Sequence, residues 1–145
     1  MDMKSDGTLD LVTRLQAAAN VNRVMGKAYD LVQSELALLM RCEDETMRWW
    51  WESPAANRFV FSYDENLSFY SELMGLSKGE NRQVYIFVTG DKVPPWECFI
   101  GDFNKISAEI EESSLTEFII LDSDFKWAMA DTHHNQLMLY GHYAI

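Results

Sequence analysis

From about Thr8 to Arg41, apolar side chains recur at Leu11, Leu15, Ala18, Met25, Ala28, Val32, Leu36 and Leu39. Asp10, Arg14, Arg23, Lys27 and Asp30 fall largely off that line. A spacing of three to four residues is one face of an α-helix. Gly26 and the Asn20–Asn22 stretch are poor helix formers, so the pattern predicts either one long helix or two with a break near Asn20. Two runs, Met47–Trp51 and Arg58–Tyr63, are rich in bulky and aromatic residues and read as strands joined by a Ser53–Asn57 loop. Ser62 and Glu65 then make an S-x-x-E capping box, which announces a helix to about Met74 with Gly75 as its stop. Leu67, Tyr70 and Leu73 or Met74 mark the buried face of that helix.

After a Ser77–Asn81 turn, Gln83–Thr89 and Trp96–Gly101 read as strands, separated by Gly90 and the Pro94–Pro95 pair. Asp102 is placed to cap a helix from Phe103 to about Ser113, with Phe103, Ile106 and Ile110 on one side. Three strands close the chain. Thr116–Asp122 is apolar on both faces, as a central strand is. Phe125–Asp131 puts Phe125, Trp127 and Met129 together, and Gln136–Tyr140 follows a Thr132–Asn135 turn. Asp122-Ser123-Asp124 supplies the turn between the first two of these strands. The sum is an α+β fold of one domain, residues 1–145. Its helical N-terminal segment is residues 1–42, and its core, residues 47–141, is a mainly antiparallel sheet with two further helices on one face.

The chain has 145 residues, of which 48% are hydrophobic and 13% aromatic, enough for one domain with a real core. Its longest apolar runs, Leu36–Met40, Tyr85–Thr89 and Phe118–Leu121, fall far short of the roughly 20 residues of a membrane-spanning helix. Met1–Leu9 contains Asp2 and Asp6 and no apolar h-region, so a cytoplasmic location is expected, without a membrane partner. There, Cys42 and Cys98 are expected as two free thiols, a single disulfide being the alternative. Formal charge is -11, and it is uneven. Between Trp96 and Asp131, nine carboxylates face only Lys105 and Lys126, giving -7. Such a surface repels phosphate backbones, which argues against nucleic acid, and draws in a basic protein. Acidity kept for solubility alone is the competing account.

Chemistry-bearing residues are scattered. His133 and His134 are adjacent, so on a strand they point to opposite faces and are poorly arranged to hold one metal. Neither HExxH nor paired cysteines are present, nor GxSxG, GxGxxG or a P-loop; no metal or cofactor is expected. Cys98 with a histidine and an acid could form a thiol nucleophile and its base. It lies inside the apolar run Trp96–Ile100, where burial makes a thiol inert. Trp49-Trp50-Trp51 is either a binding hot spot or a strand covered on both sides. Glu111-Glu112 and the Asp122/Asp124 pair read as a solvated face.

The run from Thr116-Glu117-Phe118-Ile119-Ile120-Leu121 through Phe125-Lys126-Trp127 to Asp131-Thr132-His133-His134-Asn135, closed by Leu139-Tyr140-Gly141, resembles a family of small bacterial proteins of uncharacterised role. Their pattern is an "EFYIV"-type strand, an aromatic-x-Trp strand and an "NHHD"-like hairpin, with Thr132 here where Asn is common. Trp49–Glu52 and the Cys98–Ile110 unit are also similar, so the resemblance covers about the last two thirds of the chain. It implies no catalytic residue. In being small, acidic and α+β, the chain is similar in type to the immunity proteins that neutralise bacterial toxins.

That similarity implies a protein-binding role rather than catalysis, with a cognate toxin or other basic protein as partner. The residues expected to meet it are Trp50, Glu109, Glu112, Asp122, Asp124, Asp131, His133 and His134. Against a nuclease, Glu109, Glu112, Asp122 and Asp124 would stand in for phosphates opposite a basic cleft. Two alternatives are an enzyme of another type using Cys98 or His133/His134, and an adaptor that forms a homodimer through the Leu11–Leu39 helical face.

Overall fold

The helical pattern at the N-terminus breaks where its side chains favour a turn. In the computed structural model of the chain, which describes residues 3–46, 50, 58–62, 82–90, 92–113, 117–131 and 136–141, helix α1 spans Met3–Ala17 and α2 spans Gly26–Met40. Asn20 takes a left-handed φ of 62°, which asparagine tolerates, and Gly26 follows at 63° as α2 begins. Between them Asn22–Arg23 forms a two-residue strand, β1. Strand β2 is Arg58–Ser62, β3 is Gln83–Val88 and β4 is Glu97–Asp102. Helix α3 covers Phe103–Glu112, and β5 (Phe118–Asp122), β6 (Trp127–Asp131) and β7 (Gln136–Gly141) follow. Trp50 lies in a 3-10 turn, not a strand. The other residues of the expected Met47–Trp51 strand, the Ser62–Met74 helix beyond Ser62, and the His133–His134 turn lie outside the described residues.

Among the described residues, seven strands join one antiparallel sheet in the order β1-β4-β3-β5-β6-β7-β2. The central position belongs to β5, every residue of which is buried. Its alternation sorts the core into two layers. Phe118 and Ile120 point to one face, with Ile86, Phe99, Met129 and Leu139, and α1 and α3 cover it through Leu11, Leu15, Phe103, Ile106 and Ile110. Ile119 and Leu121 point to the other, with Phe87, Ala128 and Tyr140, and α2 covers it through Tyr29, Val32, Leu36 and Met40. The α+β class is therefore as expected. The two N-terminal helices, read as one apolar line, serve opposite faces of the sheet.

That division changes which N-terminal residues are buried. Met25 and Ala28 are exposed, while Tyr29 turns inward, because α2 starts a new helical phase at Gly26. Asp102 occupies the N-cap of α3 in an extended conformation, yet makes no side-chain cap bond. Its carboxylate instead accepts from the Gln83 side-chain amide on the neighbouring strand.

Candidate functional site

Three of the carboxylates and rings expected at a binding surface are enclosed. Asp122 ends β5 with no exposed surface. Its Oδ1 is 3.6 Å from Arg82 Nε, and its Oδ2 accepts the Lys126 backbone N–H at 3.3 Å. The same guanidinium lies 5.9 Å from the centre of the Trp127 ring. Asp122 thus holds the β5–β6 turn and docks Arg82 against the sheet. Asp131 is buried at the end of β6, opposite Phe118. Trp50 is 2% exposed, its ring packed edge-on to Trp96 at 5.0 Å. None of the three presents a face to a partner: the sheet and its neighbouring aromatics enclose all of them. His133 and His134 lie outside the described residues.

The acidic residues that do reach solvent come from helix ends and turns. Glu109 is half-buried and Glu111 and Glu112 are exposed, all in the last turn of α3, where no basic residue stands. Asp124 is exposed in the β5–β6 turn. Glu97 is exposed on β4 and is paired to Arg23 of β1 at 2.5 Å. A second acidic group, Glu43-Asp44-Glu45, is exposed just past the C-terminus of α2. Asp44 accepts from the Thr46 backbone N–H and hydroxyl, which hold its carboxyl below the usual range. Glu45 accepts from Gln33 at 3.4 Å.

Cys98 is 1% exposed among Phe87, Trp96 and Leu121, and burial pushes its thiol up to about 12. A thiol in that setting stays protonated and is no nucleophile at neutral pH. Both cysteines are free, and Cys42, half-buried at the end of α2, is also pushed upward by burial. Among the described residues, no group of three or more His, Cys, Asp or Glu side chains could hold a metal ion, and no helix is long and apolar enough to cross a membrane.

Of the helical line expected to form a homodimer, Leu11, Leu15, Val32 and Leu36 lie in the core, while Met25 and Ala28 are exposed. The pattern of α2 conceals another feature. Leu31 and Leu38, seven residues apart on its outer side, are 58% and 72% exposed. Beside Leu38, a groove of about 490 Å³ is lined by Ala37, Leu38, Arg41, Cys42 and Glu43. The only signal for it in the sequence is that both leucines fall off the buried line Val32–Leu36–Leu39. No family model, no curated protein and no solved structure matches this chain.

Proposed function

We propose that the chain is a protein-binding protein of the toxin-immunity type, acting in the bacterial cytoplasm by holding a basic partner against its acidic surface. The supporting observation is the last turn of α3. Glu109 and Glu112 stand at the negative pole of that helix with no basic residue in the turn. Carboxylates at a helix C-terminus oppose the macrodipole and cost the helix a few tenths of a kcal/mol each, roughly. A cationic partner offsets that repulsion and is steered to it by the field of a chain with net charge -11. The residues of this surface are Glu109 and Glu112. Asp124 lies at the other end of the sheet, in the β5–β6 turn beside the start of α3, and Trp50, Asp122 and Asp131 are enclosed in the fold.

Co-expression with the product of the adjacent gene tests this reading. The neighbouring product is expected to be lethal alone and harmless beside this chain. The charge reversals Glu109→Lys and Glu112→Lys together should remove protection, and Asp124→Lys alone should leave it, with thermal stability retained in both. A neighbour that is harmless alone, or lethal despite this chain, removes the immunity reading.

A further inference from the structure

Leu31 and Leu38 are two turns apart and lie one above the other on α2, about 10 Å along its axis. An apolar pair in line on the solvent side of a helix is a ridge. The groove of about 490 Å³ beside Leu38 continues it and has room for a bulky side chain. Glu35 flanks the ridge, half-buried, and beyond its end Glu43 lines the groove with Leu38, while Glu45 turns back to Gln33 on another side of the helix. The last turn of α2 carries no basic residue, and Arg41 stands at its C-cap. Apolar ridge, groove and negative pole therefore lie in sequence along one side of one element.

We infer that the outer side of α2, from Leu31 to Glu43, docks a basic amphipathic α-helix of a partner protein, lying antiparallel to α2. This inference rests on the reading of the chain as a binder of basic proteins and names a second surface for it. Helix on helix is the fit because Leu31 and Leu38 repeat at the interval of a helical ridge, which interdigitates with another of its kind. The antiparallel sense follows from charge. It sets the positive N-terminal pole of the incoming helix, with its Lys or Arg side chains, against Glu43 and the negative pole of α2. A second copy of this chain meets that position with like charge, since the chain carries -11.

A synthetic Leu/Lys amphipathic peptide of about 18 residues is long enough to cover the ridge. It is titrated into the isotope-labelled full chain at low salt, beside a scrambled peptide of the same composition. NMR shift changes are expected over residues 27–46 with the helical peptide, and binding at least about tenfold weaker with the scrambled one. Leu38→Asp, and separately Glu43→Gln with Asp44→Asn and Glu45→Gln, should each weaken binding by about tenfold or more. Leu38 is exposed enough that circular dichroism and Tm are expected to stay unchanged, and Leu38→Ser is the milder companion variant. Equal binding of the two peptides, no binding, or wild-type affinity in Leu38→Asp overturns the inference. So does self-association of the chain that Leu38→Asp abolishes. Shifts confined to the Glu109 and Glu112 surface defeat the α2 site but leave the proposed function intact. Mapping to α2 with no protection in the co-expression experiment does the reverse.

Discussion

Cys98 is a reactive residue by type, and its place between Phe87, Trp96 and Leu121 removes the reactivity. In the unfolded chain its thiol ionises near 9, whereas in the fold burial holds it protonated to about 12. Tyr29 shifts the same way, from about 10 to about 12, through burial and despite the hydrogen bond its hydroxyl accepts from the Trp96 backbone N–H. Because the unfolded state loses these protons first, their contribution to stability is full below pH about 9 and declines from there toward about 12. Denaturant titrations are expected to show a loss of order 1 kcal/mol between neutral pH and about pH 10, with a shallower decline in Cys98→Ala. A disulfide reagent should label Cys42 at once and Cys98 only on unfolding. Gly141 illustrates the backbone side of the same scale. With φ of 78°, an added Cβ would run into the Lys126 carbonyl oxygen and lie 2.9 Å from Leu39 Cδ2. Gly141→Ala is expected to lower stability by about 2 kcal/mol or more, measured by denaturant midpoint.

Among the elements, α2 separates the two kinds of leucine within three residues. Leu36 is fully enclosed against the sheet, and Leu38 is 72% exposed. Leu36→Ala should cost about 2–5 kcal/mol, and Leu38→Ala less than about 0.5, in the same thermal or denaturant assay. Strand β5 was readable in advance because apolar residues on both faces leave only the middle of a sheet, and Ile120→Ala there should cost as much as Leu36→Ala. The phase of α2 was not readable, because Met25 and Ala28 continue the periodicity of α1 across a break that restarts it. Strand β1 left no local signal at all. Two residues form it only because Ile100 and Phe99 of β4 offer a free edge. The alternation of Phe125, Trp127 and Met129 carries the expected strand back to Phe125, but the strand starts at Trp127. Phe125 is a turn residue. It adopts a left-handed φ of 61° before β6 and stacks on Tyr85 at 6.0 Å.

For the molecule as a whole, a sequence pI near 4.5 makes long-range attraction the common element of both proposed surfaces. Association with a basic partner is expected to slow by about tenfold or more as salt rises from low to physiological levels, with dissociation changing far less. Stopped-flow mixing checks this, and a salt-independent on-rate would remove electrostatic steering from the account. Periodicity and charge along the chain were enough for the class of fold, the positions of β2 to β7 and α3, and the sign of the field. Periodicity and net charge are local or additive properties, so they survive without coordinates. Tertiary structure alone decided which carboxylates stand in water. Asp122 and Asp131 are closed in at strand ends while Glu112 and Asp124 are not, and no spacing distinguishes them. It also set α1 and α2 on opposite sides of the sheet and left Leu31 and Leu38 outside. Burial is a property of neighbours that only folding brings together.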